Sequence, residues 1–240
     1  MLKAAKRAAK KTERKEGRPV IAERIEALKA EMRARKVDMY IVPTSDFHES
    51  EYVGDYFKAR KYLTGFTGSA GTAVVTESET GLWVDGRYFI QAEKQLGQSP
   101  VVLYRMGEEG VPTVKEYVEK NLPEGGCLGF DGRVVNAKAG EDYGKIAEGK
   151  QGTVFVDEDL MGIIWKERPE LPKNPVFILE EKYAGESTKS KLKRLREKMA
   201  EKGADVHILT SLYDIAWLFN IRGGDIDHVP VALSFAAITQ

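Results

Sequence analysis

Tyr62-Leu-Thr-Gly-Phe-Thr-Gly-Ser-Ala-Gly-Thr-Ala-Val-Val-Thr76 and, after a short turn, Leu82-Trp-Val-Asp-Gly-Arg-Tyr-Phe89 decide the reading of this chain. The first piece is a glycine-rich turn, Gly65 to Gly71, running into an apolar strand signal at 72–76. The second offers another short strand at 82–84. Asp85 follows, a side chain suited to capping a helix over 86–96. Further strand signals stand at 101–104, 128–130 and 153–156. Between them the pattern predicts helices at 112–121, with Pro112 at an early helical position, and at 137–147, capped by Asn136. Strands that alternate with helices after an initial strand pair imply an α/β domain with a mixed sheet.

An internal repeat extends this reading. Ile25-Glu-Ala-Leu-Lys-Ala-Glu-Met-Arg-Ala-Arg-Lys-Val-Asp-Met-Tyr-Ile-Val42 resembles Leu192-Lys-Arg-Leu-Arg-Glu-Lys-Met-Ala-Glu-Lys-Gly-Ala-Asp-Val-His-Ile-Leu209. Leu28, Met32 and Asp38 match Leu195, Met199 and Asp205, 167 residues further on. Each copy is an amphipathic helix followed by a strand, at 39–42 or 206–209. Tyr62-Leu-Thr-Gly-Phe-Thr-Gly68 then matches Trp217-Leu-Phe-Asn-Ile-Arg-Gly223, and a second strand signal follows at 72–76 or 231–239. A period this long means duplicated domains and not a solenoid. Arg168-Pro-Glu-Leu-Pro-Lys-Asn-Pro175, with three prolines in eight residues, is an extended connector. Ser187 caps the helix after it. The boundaries expected are a basic arm at 1–19, a first domain at 20–165, a linker at 166–186 and a second domain at 187–240. The second copy stops at its second strand, so it is expected to be incomplete.

Composition narrows the function classes. The 240 residues carry 37 acids against 37 bases, which gives no general field for nucleic acid or a membrane surface. No apolar run approaches a membrane span. The single Cys127 cannot form an internal disulfide and suits a reducing compartment. Residues 1–18 are rich in Lys and Arg and lack the apolar core of a secretory signal. They read first as an exposed, alanine-rich arm. A nucleic-acid-touching tail and an organellar targeting peptide stay open.

Each candidate constellation has a bland reading beside the sharp one. His48-Glu-Ser-Glu-Tyr52 nearly spells a zinc-protease helix, but position 52 is Tyr where a second His is needed. His207 and His228 complete no metal set. Gly65–Gly71 lacks the Gly-Lys-Ser/Thr ending of a phosphate loop and leads into a strand, not a helix. A tight turn is the better reading, and such a turn can line one wall of a cleft. Arg87 is electrostatically unhelpful at a helix start, which points to a paired or cleft-facing role. The polar stretch Ser45–Tyr52 follows a strand's carboxyl end, a place where α/β proteins put function, and is equally a capping turn. Asp225 and Asp227, after Gly223-Gly224, read as turn acids. No nucleophile–base pair stands out.

From about residue 22 onward the chain resembles aminopeptidase P, the metal-dependent Xaa-Pro aminopeptidases. The matching pieces include Ser45-Asp46-x-His48-x-Ser50-Glu51-Tyr52, the Gly65–Gly71 turn and Trp83-x-Asp85-Gly-Arg-Tyr-Phe89-x-Gln91. Ile164-Trp-Lys-Glu-Arg-Pro169, Tyr183-Ala-Gly-Glu-Ser187, Asp214-Ile-Ala-Trp-Leu-Phe-Asn-Ile-Arg-Gly-Gly-Asp-Ile226 and Pro230-Val-Ala-Leu-Ser-Phe-Ala236 match as well. The resemblance is to the long, three-domain cytosolic type. It implies two creatinase-like N-terminal domains with a ribonuclease-H-like core, ahead of a pita-bread catalytic domain. That domain would hold two divalent metals, usually manganese, through two Asp, one His and two Glu. None of those ligands carries over, so no catalytic and no metal-binding residue is expected in this chain, and residues 1–240 alone should be inactive. By the same likeness His48, Arg87, Gly65, Gly68 and Gly71 face the substrate cleft. The intact enzyme would take peptides with proline in the second position, assemble as a homo-oligomer and reside in the cytoplasm, with no nucleic-acid or membrane partner. A stand-alone peptide- or protein-binding module is the rival reading. A third is an unrelated α/β protein with similar loops.

Overall fold

In the computed structural model, Met39-Tyr-Ile-Val-Pro43 forms β1, the third strand from one end of a six-stranded sheet. Residues 18–240 are described, so residues 1–17 of the arm expected at 1–19 lie outside them, and Arg18 and Pro19 already belong to the first helix. The described chain divides into two units. One takes residues through Thr44 together with Lys58–Arg168, and the other takes Ser45–Phe57 together with Pro169–Gln240.

The first unit holds the large sheet. Its strands are β1, β2 (Thr72–Thr76), β3 (Thr80–Val84), β4 (Val101–Arg105), β5 (Cys127–Phe130) and β6 (Thr153–Phe155), in the order β4-β3-β2-β1-β5-β6. Only β2 runs against its neighbours. The sheet is therefore mixed, as the alternation implies. β1 is buried on both faces, which explains why it reads as an unbroken apolar run.

Two cores follow from that strand. Tyr40 and Val42 point to a layer with α1 (Arg18–Ala34), α2 (Ala59–Thr64), α3 (Phe89–Leu96) and α6 (Leu160–Ile164). Ile21, Ile25, Leu28 and Met32 supply the buried stripe of α1 at three- and four-residue steps. Met39 and Ile41 point the other way, to α4 (Val114–Asn121) and α5 (Ala137–Gly149) through Val118, Leu122, Tyr143 and Ala147.

The helix starts are only partly as expected. Asn136 caps α5, its side chain accepting from Ala139 N–H. α3, however, begins at Phe89, and Asp85 does not cap it. The Asp85 carboxylate instead accepts from the Arg87 backbone and guanidinium, so residues 85–88 form a separate turn. Pro112 likewise stays outside α4, where Thr113 and Glu116 form a capping box. The Pro112 carbonyl accepts from Trp83 Nε1 at 2.8 Å.

The second unit repeats the opening of the first. α8 (Thr188–Glu201), capped by Ser187, leads to β8 (Val206–Leu209), and β10 (Ala236–Thr239) pairs with β8 antiparallel. Val206 lies opposite Thr239 just as Met39 lies opposite Thr76. Between them come α7 (Glu181–Ala184), α9 (Leu212–Leu218, capped by Ser211), and β7 (Phe177–Ile178) paired with β9 (Ile221–Arg222). The expected strand over 231–239 is confined to its last part, because Asp225 captures the rest. Its backbone N–H donates to Val231 O and its carboxylate accepts from Leu233 N–H, which turns 231–235 away from a ladder. Two small clusters form the core here, around Leu212, Ile226 and Val231, and around Met199, Leu218 and Ile238.

Candidate functional site

The strand directions of the first unit gather the chemistry-bearing turns at one end of its sheet. β1, β3, β5 and β6 all finish there, and antiparallel β2 begins there. Thr44, the Gly65–Gly71 turn, Asp85-Gly86-Arg87 and Asp131-Gly132-Arg133 follow or precede those strand ends. Strand carboxyl ends are where open α/β sheets place binding surfaces.

The glycine turn is held from beneath by a residue that the motifs do not reveal. Arg60, on α2, is buried. Its Nε donates to Thr44 Oγ1 at 2.9 Å, one terminal nitrogen donates to Phe66 O at 2.6 Å, and the other donates to Gly68 O. Thr44 in turn donates to Gly71 O from both its backbone N–H and its hydroxyl. Burial pulls the Arg60 guanidinium down to about 10, because the low-dielectric surroundings disfavour its charge. Gly65 sits at φ +75°, a left-handed C-cap closing α2. Gly68 is required by close approach, since a Cβ there would lie 2.3 Å from the Phe66 ring. The turn is structural in origin, as its sequence indicates, and it presents Thr67 and Ser69 outward. Thr67 is bonded by Gln91 and Gln95, and Ser69 Oγ lies 2.6 Å from Tyr88 OH.

Arg87 is exposed and bidentate with Asp85, both contacts at 2.8 Å. Its hydrogen bonds hold the Asp85 carboxyl at about 2, well below the usual range. The same clasp recurs after β5. Arg133 donates to Asp131 from backbone N–H, Nε and a terminal nitrogen, and reaches on to Asp159 at 3.1 Å. Asp159 also pairs with Arg168 and caps α6. The recurrence of Asp-Gly-Arg after a strand was the available signal for this second clasp.

His48 belongs to the other unit. Its Nδ1 lies 2.8 Å from Thr210 O, and its ring packs at 4.3 Å on Phe235. Asp46 shapes the turn before it, one carboxylate oxygen accepting from His48 and Ser50 N–H. The second oxygen of Asp46 is buried with no hydrogen-bond partner. His207 lies in β8 and His228 in a loop at φ +65°. Asp225 is a turn acid, accepting from Asn174 and Leu233. Among the described residues no group of three or more His, Cys, Asp or Glu side chains could hold a metal ion. The described residues thus do not fit a two-metal centre. Among the described residues no helix is long and apolar enough to cross a membrane.

This chain belongs to the creatinase/prolidase N-terminal domain family, whose profiles match residues 24–165 and, in a second form, residues 167–240. Within that family it is similar to a probable Xaa-Pro aminopeptidase P of Coprinopsis cinerea, at 40% identity over 91% of this chain and 35% of the relative. Aminopeptidase P2 of Arabidopsis thaliana is 41% identical over 84% of this chain and 29% of the relative. The crystal structure of X-prolyl aminopeptidase from Caenorhabditis elegans, described as a cytosolic enzyme with a di-nuclear active site, superposes with a TM-score of 0.85. It is 33% identical, over 91% of this chain and 37% of that one. The chain therefore spans about a third of the length of the relatives it matches.

Proposed function

We propose that these residues are the non-catalytic N-terminal region of a Xaa-Pro aminopeptidase, a scaffold that shapes the substrate cleft and supports assembly. The observation that carries this reading is the Arg60-anchored glycine turn beside the exposed Arg87–Asp85 clasp. A rigid polar wall stands at the strand ends, with no nucleophile–base pair in it. On this reading Gly65, Gly68, Gly71, Arg87 and His48 are the candidates for facing the peptide, each within its own unit. The substrate is a peptide with proline in the second position. The two divalent metals, manganese by preference, are held by residues outside those described, where they supply Lewis-acid activation of water. The enzyme is cytoplasmic and a homo-oligomer, without nucleic-acid or membrane partners.

The test is direct. Purified residues 1–240, supplied with manganese and a Xaa-Pro peptide, should release no N-terminal residue, and equilibrium dialysis should find no stoichiometric manganese. Turnover above a metal-only blank, or two tightly bound ions per chain, would overturn the assignment.

A further inference from the structure

The large sheet of the first unit has two unlike edges. β6 is three residues long, whereas β4, Val101-Val-Leu-Tyr-Arg105, is a full strand of five. In its parallel ladder with β3, Met106 N–H donates to Val84 O, so residues 102, 104 and 106 turn their backbone groups inward. Val101, Leu103 and Arg105 turn theirs outward. Ser99 Oγ meets the Val101 N–H at 3.3 Å, and Glu108 N–H meets the Arg105 carbonyl at 3.2 Å. Both groups of Leu103, the Val101 carbonyl and the Arg105 N–H take no hydrogen bond from the described residues.

Such a row is a template for another strand, and proteins blunt it with Lys, an inward charge, Pro or a bulge. β4 has none of these, and its register with β3 runs unbroken. Its one charge, Arg105, stands at the strand end and stays with Glu93 and Glu108 at 3.3 and 3.9 Å. The surroundings are apolar on both faces. Val101 and Leu103 point to the α3 layer, where they line a cavity of about 510 Å³ with Leu96 and Val111. Val102 and Met106, both exposed, share the other face with Tyr104. Ile90, exposed on α3, lies one turn before Glu93 and so overhangs the same edge.

We infer that β4 pairs antiparallel with β4 of a second copy of this chain, about a twofold axis at Leu103, joining the two sheets into one. The outward groups are symmetric about Leu103, and this occupant satisfies them all. The two Leu103 residues exchange N–H···O bonds, and each Arg105 N–H meets the Val101 carbonyl of the other copy. Val102 then lies across from Tyr104. Pro100, which has no N–H, falls opposite Met106 at a position that donates nothing across the new ladder. This self-match of backbone and side chains selects a second copy over any other strand. The inference rests on the preceding reading for the expectation of a homo-oligomer, and it supplies the surface.

The test reads association without peptidase turnover, so its failure leaves the assignment as an N-terminal region standing. In sedimentation equilibrium the 240-residue chain should form dimers that half-dissociate below about 100 μM. Val102→Lys, an exposed change that leaves the core intact, should weaken the dimer at least tenfold. Register is read by oxidation in a Cys127→Ser background. Leu103→Cys should form a disulfide dimer, because opposed Cα atoms stand about 5.5 Å apart, within reach of the bond. Arg105→Cys should stay monomeric on reducing-agent-free gels, since it lies opposite Val101 and roughly 14 Å along the strand from its own mate. A chain that remains monomeric above 100 μM overturns the inference. So does a dimer that Val102→Lys leaves unchanged, or cross-linking at 105 as efficient as at 103.

Discussion

Met39 and Ile41 in β1 are 1% and 2% exposed, whereas Val206 and Ile208, the residues in the same places of β8, are 51% and 59% exposed. The two strands follow matching helices and make matching antiparallel ladders. What differs is the next layer. α4 and α5 cover Met39 and Ile41, and no described helix does the same for Val206 and Ile208. The local pattern specifies the helix–strand unit, and elements distant in sequence decide whether both its faces are buried. Hydrophobic stabilisation follows the area removed from water, so equal sequences contribute unequally.

That inequality has measurable consequences. Leu28→Ala, at a fully buried site, should cost about 3–4 kcal/mol in urea unfolding. Leu195→Ala, at a partly buried site, should cost only about 1 kcal/mol. Equal losses would mean that the covering layer is energetically irrelevant. The cation–carbonyl pairs, Arg24 with Tyr62 O and Lys191 with Trp217 O, should rank the other way. Lys191 is buried and also donates to Asn220 Oδ1 at 2.7 Å, so Lys191→Ala leaves that buried acceptor unpaired and should cost about 2 kcal/mol. Arg24 is only partly buried, so Arg24→Ala should cost nearer 1 kcal/mol. A larger loss at Arg24 would reverse the ranking.

The smallest effect belongs to the exposed clasp. Arg87 depresses the Asp85 carboxyl to about 2, so the stabilisation is present above the ordinary value of 3.8 and is lost as pH falls through about 2. Arg87→Ala should return the Asp85 titration midpoint to near 4, read by carbon NMR of the carboxyl. Because the pair is solvent-exposed, stability at neutral pH should change by less than about 0.5 kcal/mol. An unmoved midpoint would show that Arg87 does not hold Asp85 in solution.

Periodicity made the large sheet legible. Every strand of the first unit and the α1 stripe follow from apolar spacing, and Asn136 and Ser187 cap as their positions suggest. Side-chain capture of backbone was the hidden variable. Asp85 serves Arg87 instead of a helix end, and Asp225 bends residues 231–235 out of the ladder. Neither choice leaves a periodic trace. The glycine turn was legible as a turn, but its anchor was not. Arg60 sits in Ala-Arg-Lys-Tyr-Leu-Thr, where Arg and Lys look interchangeable until the fold buries one of them. The grouping of Ser45–Phe57 with Pro169–Gln240 likewise has no periodic signal to announce it.

That excursion bears on biosynthesis. His48 and Thr210 are 162 residues apart in the chain. At a ribosomal speed of about 5–20 residues per second, His48 waits roughly ten to thirty seconds for its partner to be made. Throughout that delay the segment Ser45–Phe57, whose Phe47, Tyr56 and Phe57 contact one another edge to face, is nascent polypeptide without the residues it groups with. The segment is a natural target for chaperones and proteases. Splitting the gene at the proline-rich connector would strand this aromatic cluster on the wrong fragment.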